Sequence, residues 1–241
     1  MTDYRQEQLA NTEGQVIMPF YLLCDVSTSM AGSDMDDLNR GVVDLHRALL
    51  SEPIINDLVM LSIITFNHEA RTVVPLAAPE DITLPQLTAS GGTQYGPALR
   101  EFRRAFEADR VRLKSQGKRV YRPCVYFLTD GEPNDKNDYL QAFTDAITKD
   151  RNAYPYMCSF GFRDATPATM QTLAYPDFGD QTKRGRYFIA KQNATITELL
   201  TSMVGVLAQS ILQSANSVPT GAPGVALPPP DAVQGMVGSF V

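Results

Sequence analysis

Apolar runs of strand length alternate along the chain with longer stretches in which apolar residues recur every three or four positions. The runs are VIMPFYLLCD (16–25), LVMLSIITF (58–66), ARTVVPLA (70–77), CVYFLTD (124–130), YMCSFGF (156–162) and RYFIA (186–190). Several are apolar almost throughout, as strands buried on both faces are. The alternation predicts an α/β fold: a doubly wound, mainly parallel six-stranded sheet with helices on both faces and one antiparallel edge strand.

The helical stretches carry one apolar stripe each. Met35, Leu38, Val42, Leu45 and Leu49 mark a helix entered through Ser33 or Asp34 as N-cap and stopped near Pro53. A second begins after SGGTQYGP, with Pro97 in its first turn, and turns Leu99, Phe102 and Phe106 toward the core. Further helices are expected over 138–150 and 167–174. A last one is expected over 194–215, with Ile196, Leu199, Leu200, Met203, Val204, Leu207 and Ile211 as its stripe. From Asn216 the composition turns to Pro, Gly and small residues, including LPPP at 227–230. The organisation expected is a polar segment over 1–15, one folded domain over 16–215, and an extended, poorly ordered tail over 216–241 that can be removed without unfolding the domain.

Composition narrows the function classes. The 241 residues are 44% hydrophobic and 20% charged, enough for a sizeable core. A net charge of -6 and a pI near 5.0 speak against a general nucleic-acid binder, which needs cations to neutralise phosphates. The arginines of the second helix and the loop after it, Arg100 to Arg122, are interleaved with acids and read as a solvated face. The polar start has no apolar core of a signal peptide, and no stretch reaches membrane-span length, so no membrane role and a cytoplasmic location are expected. Cys24, Cys124 and Cys158 all fall inside apolar runs without metal-ligand spacing and read as reduced core residues.

The candidate chemistry sits at strand ends, where parallel sheets bind ligands. The first strand ends in Asp25-Val26-Ser27-Thr28-Ser29, and the fourth ends in Leu128-Thr129-Asp130-Gly131-Glu132. In SGGTQYG, two glycines precede Thr93 just before a helix. Two carboxylates and three hydroxyls form a hard oxygen set that suits Mg2+ or Mn2+ rather than zinc or copper. Alone, Ser27 and Ser29 also fit a helix cap, and Asp130-Gly131 a turn.

D-x-S-x-S, a later Thr after paired glycines, and a later Asp in T-D-G together resemble the metal-ion-dependent adhesion site of von Willebrand factor A domains. The resemblance covers about residues 16–212 and implies the Rossmann-like fold of that family, with Asp25, Ser27, Ser29, Thr93 and Asp130 as metal ligands. It also implies a role in gripping a partner protein's Asp or Glu through the ion. MPFYLLCDVSTSMAG, LTASGGTQYGPAL and FLTDGEPND are most similar to the bacterial TerY-like branch, associated with tellurium resistance. That likeness implies an intracellular stress-response adaptor beside kinase or phosphatase partners of the same operon, without implying action on tellurium. No cysteine set is present for the zinc module some relatives carry.

A Mg2+-dependent phosphotransferase of the haloacid-dehalogenase type is the rival, since it too uses an Asp at the first strand's tip. Its second carboxylate two residues on is Ser27 here, which cannot serve comparably as a general acid. Neither G-x-G-x-x-G nor G-x-S-x-G appears at a suitable turn, so a binding module rather than an enzyme is expected. His46 and His68 lack neighbours that suggest a ligand or base. Asp34, Asp36 and Asp37 suit a helix N-terminus and, with Glu132 and Asp135, are placed around the metal. Arg163 is placed where it offsets their repulsion of an incoming acid.

Overall fold

A computed structural model describes residues 14–51, 57–150, 154–177, 185–191, 205, 208–211, 213–214, 229, 231 and 235–240. Its eight strands are β1 (Val16–Asp25), β2 (Val59–Phe66), β3 (Ala70–Ala77), β4 (Arg119–Val120), β5 (Cys124–Thr129), β6 (Tyr156–Gly161), β7 (Arg186–Ala190) and β8 (Met236–Phe240). The helices are α1 (Ser33–Leu50), α2 (Tyr95–Ser115), α3 (Lys136–Phe143), continued by a π turn over Thr144–Thr148, and α4 (Pro167–Leu173).

The sheet runs in the order β3-β2-β1-β5-β6-β7-β8, with β4 pairing β1 alone. Pairing is parallel from β2 through β7 and antiparallel at β2–β3 and β7–β8. The doubly wound α/β architecture is therefore as the alternation predicts, with two differences. Eight strands replace six, because β4 has only two residues and β8 lies in the Pro/Gly-rich tail. Both edges, not one, are antiparallel. Pro75, which has no N–H to donate, is tolerated because β3 is an edge strand.

The C-terminal stretch corrects the expectation of a loose terminus. All five residues of β8 pair with β7, from Arg186 with Phe240 to Ala190 with Met236, and Met236 is buried. A five-residue apolar run carries too weak a periodicity to show that an open strand edge awaits it. The expected stripe residues Ile196, Leu199, Leu200, Met203, Val204 and Leu207 lie outside the described residues. Residues 208–211 are helical, and Ile211 is buried.

Alternation along β1 divides the core into two layers. Met18, Phe20, Leu22 and Cys24 pack with Met35, Leu38, Val42, Leu45 and Leu49 of α1. Ile17, Tyr21 and Leu23 pack on the other face with Leu99, Phe102 and Phe106 of α2 and with Met170 and Leu173 of α4. The three cysteines are free and buried, as expected, and burial pushes the Cys124 thiol up to about 12. On α2's outer face, Arg104 pairs with Glu101, Arg112 with Asp109 and Arg100 with Asp138. Arg122 lies over the Tyr154 ring, 3.9 Å from its centroid.

After β1 the chain moves to β2 on one side, and it later returns to β5 on the other. Strand order thus reverses between β1 and β5, opening a crevice between their carboxyl ends. Asp25 closes β1 and Asp130 follows β5, so the two acids flank that crevice.

Candidate metal centre

Asp25 is fully buried at the tip of β1. The Ser27 N–H donates to its Oδ1 at 2.8 Å, and the Thr129 hydroxyl donates to its Oδ2 at 2.6 Å. Burial nonetheless raises its pKa to about 6, with Ser27 and Thr129 opposing the shift and the nearby Asp130 charge adding to it. Ser27 is buried, whereas Ser29, in a 3-10 turn over Thr28–Met30, is exposed. The Ser27 and Ser29 hydroxyls are 3.0 Å apart, and Ser29 donates to Oδ1 of Asp130 at 2.9 Å. Hydrogen bonds thus link Asp25, Ser27, Ser29 and Asp130 across 105 residues of sequence.

Thr93 reaches the same end of the sheet through its backbone. Its N–H donates to Asn134 Oδ1 at 2.9 Å, and its carbonyl accepts from the Asn134 N–H at 2.8 Å. The preceding turn is fastened to the β1 loop: Ser90 N–H donates to the Val26 carbonyl, and Thr28 donates to Gly91 through both its N–H and its hydroxyl. Gly91 has φ 75°, a left-handed conformation that glycine adopts freely, and a Cβ there would also collide with His68. Gly91 therefore serves the close approach of two loops. Thr93 itself is largely buried, and its hydroxyl joins none of the hydrogen bonds that connect the other four residues.

Asp130 carries an unsatisfied atom, as does Asp34, whose Oδ2 is in ion-pair contact with Arg163 but accepts no hydrogen bond. The Oδ2 of Asp130 is buried without a hydrogen-bond partner, and burial raises its carboxyl pKa. A buried carboxylate oxygen without a donor is costly, and a cation removes that cost. Two buried carboxylates with neighbouring hydroxyls form a hard-oxygen set that fits a divalent ion such as Mg2+ or Mn2+.

Two residues outside the predicted set hold this centre. Thr129 orients Asp25, and Tyr95 donates to the Gly131 carbonyl at 2.5 Å, with its oxygen 3.3 Å from the Thr129 hydroxyl. Thr129 was visible in the T-D-G motif, but its partner stands 104 positions away. Tyr95 had no sequence signal beyond its place in the glycine-rich turn.

Several charged residues have other roles than those expected. Asp135 accepts from the Tyr95 and Gly96 N–H groups at 3.0 and 2.8 Å, capping the start of α2 from a distant loop. Glu132 accepts from the Thr166 N–H and the Thr169 hydroxyl at 2.8 and 2.6 Å, binding the start of α4. Both carboxylates are committed to helix starts. The N-cap of α1 is Gly32, not Ser33 or Asp34, and no side chain caps it. Asp34 instead pairs with Arg163. Asp37 pairs with Arg40, and His46 lies 2.7 Å from the Pro79 carbonyl. His68 helps line a groove of about 340 Å3 beside the β1 loop, together with Val26, Asn67, Arg71, Leu87 and Ser90.

Comparison with known proteins agrees with this fold. Residues 20–132 match the family model of the von Willebrand factor type A domain. The fold is similar to that of a von Willebrand factor type A protein from Catenulispora acidiphila, at TM-score 0.56 and 19% identity over 81% of this chain and 43% of that one. It is similar to proximal thread matrix protein 1 of the mussel byssus, solved with a zinc-occupied MIDAS motif, at TM-score 0.57 and 14% identity over 83% and 49%. The pilus adhesin SpaC from Lactobacillus rhamnosus GG matches at TM-score 0.61 and 13% identity over 83% and 31%. The chain thus spans less than half the length of each of these proteins. No curated protein matches the sequence.

Proposed function

We propose that the protein, whose residues 20–132 match the family model of the von Willebrand factor type A domain, is a metal-dependent protein-binding module rather than an enzyme. Asp25, Ser27, Ser29, Thr93 and Asp130 hold one Mg2+ or Mn2+, directly or through water. The ion supplies a Lewis-acidic centre that takes an Asp or Glu carboxylate from a partner protein. The buried, partnerless Oδ2 of Asp130 carries this reading. Asp25 and Asp130 at most neutralise a divalent ion, so a further carboxylate gains more there than water does.

The surroundings favour binding over reaction. Both oxygens of Asp25 are engaged by Ser27 and Thr129, which suits a fixed ligand better than a nucleophile that must attack a phosphorus. Serine occupies the position where the phosphotransferase rival needs its acid. Among the described residues no helix is long and apolar enough to cross a membrane. The likeness of the three site-bearing phrases to the TerY-like branch supports a cytoplasmic adaptor in a stress-response system, beside a kinase or phosphatase. The test is a pull-down from the native cell with and without EDTA, using wild type and Asp130→Ala. A partner retained by wild type in Mg2+, and lost in EDTA and in the variant, is expected. Equal capture in all three would overturn the proposal.

A further inference from the structure

Arg163 follows β6 in a loop that is locked to the tip of β5. On one side of it, the Phe162 N–H donates to the Thr129 carbonyl at 3.2 Å; on the other, the Asp164 N–H donates to the Asp130 carbonyl at 3.0 Å. Glu132 adds a third tie between the same loops through Thr166 and Thr169. The backbone of Arg163 is therefore held against the residue that offers the open carboxylate oxygen.

Its conformation is unusual for an arginine. Arg163 has φ 52°, the one positive φ outside glycine among the described residues. A side chain in the left-handed region costs about 1 kcal/mol, so the surrounding bonds must impose it. They aim the guanidinium at the β1 loop, where Nη1 lies 3.5 Å from the Ser29 carbonyl and Nη2 pairs with Asp34. Ser29 is also the residue whose hydroxyl bonds Asp130. Arg163 thus borders the centre through the same residue.

The exposure of the ion pair is lopsided: the Asp34 side chain is 4% exposed and that of Arg163 is 46%. The anion lies beneath the cation, so an approaching molecule meets the guanidinium. Arginine has five N–H donors in a planar fork; one reaches the Ser29 carbonyl, and Nη2 is in ion-pair contact with Asp34. The remaining donors are available to a ligand at the centre.

We propose that Arg163 is a contact and selectivity residue for the partner's carboxylate, resting on the proposed function above: one carboxylate oxygen goes to the ion and the other to the guanidinium. A planar oxyanion matches such a two-point site. An amide or hydroxyl of the same size gains only from the metal, so Arg163 discriminates charge. The buried Asp34 competes for the fork and tempers its charge.

The test needs no identified partner. The full chain is loaded with Mn2+, and water-proton relaxation is followed while acetate or acetamide is added. Acetate is expected to displace Mn2+-bound water at lower concentration than acetamide. Arg163→Gln is expected to raise the acetate half-point about tenfold, the lower end for a charge-assisted hydrogen bond at a half-exposed site, and to leave acetamide unaffected. Arg163→Lys should fall between, and Asp34→Asn, by releasing the fork, should lower the half-point. Mn2+ affinity, read by electron paramagnetic resonance, should not weaken in Arg163→Gln; parallel loss of Mn2+ affinity and acetate binding would reveal a structural role and overturn the inference. Equal acetate half-points in wild type and Arg163→Gln would overturn it while leaving the metal–carboxylate reading intact. Failure of acetate to displace water from the wild type would instead overturn that reading itself.

Discussion

Two pairs of acids stand at the same end of the sheet and do opposite things. Glu132 and Asp135 each place both oxygens on N–H or O–H donors at the starts of α4 and α2. Asp25 and Asp130 are more deeply buried, and Asp130 leaves one oxygen without a donor. The first pair stabilises the fold through caps built across loops. In the second, Asp25 also has a donor on each oxygen, but Asp130, with one oxygen bare, lowers stability until a cation arrives. Sequence distance does not separate them, since Asp130 and Glu132 are two residues apart; what separates them is whether a helix start faces the side chain.

The largest expected effect tests the second pair. An ion that binds only the native state stabilises it by about 2.7 kcal/mol at 100 times Kd. Thermal denaturation in Mg2+ or Mn2+ should show this gain in wild type and Glu132→Ala and none in Asp25→Ala. A gain that survives Asp25→Ala would place the ion elsewhere.

Removal of residues 236–241 should cost about 2 kcal/mol, roughly the burial of Met236, because it opens the edge of β7. The shortened protein should keep its metal-dependent gain, since β8 is far along the sheet order from β1 and β5. Loss of that gain would mean that the edge and the centre are coupled.

The sharpest contrast comes from matched substitutions measured by denaturation in EDTA. Asp135→Ala should lose about 1 to 2 kcal/mol with the cap of α2. Asp130→Asn should lose nothing or gain stability, because a charge with an unsatisfied oxygen leaves a buried site. Equal losses would erase the distinction between the pairs. The smallest effect, about 1 kcal/mol, is expected for Thr129→Val, which removes the buried hydrogen bond to Asp25 and the longer contacts of the same hydroxyl with Tyr95 and Gly131. Its Mn2+ affinity should fall as well, since Asp25 loses the donor that orients it.

Much of the fold was legible because burial writes itself into local pattern. The runs over 16–25, 58–66 and 124–130 are apolar almost throughout because helices cover both faces, and α1's stripe follows a 3.6-residue period. Other features had no such imprint. β4 is too short to show a period, and β8 follows a segment whose Pro and Gly content signals a chain end. Its strand forms because β7 offers an unpaired edge, which is a property of the assembled sheet.

The same division runs through the candidate centre. By itself the sequence determined the residue types and their order: an acid and two hydroxyls after the first strand, a threonine behind two glycines, and an acid after the central strand. Those are short-range features, set by how a strand ends and what its loop contains. Only the tertiary structure decided that Thr129 serves Asp25, that Asp135 and Glu132 are spent on helix starts, and that Arg163 covers Asp34 beside the centre. Each depends on which loops meet where strand order reverses. A carboxylate's role is set by the donors around it, and apart from the Ser27 N–H on Asp25 those donors come from 34 to 129 residues away in these contacts.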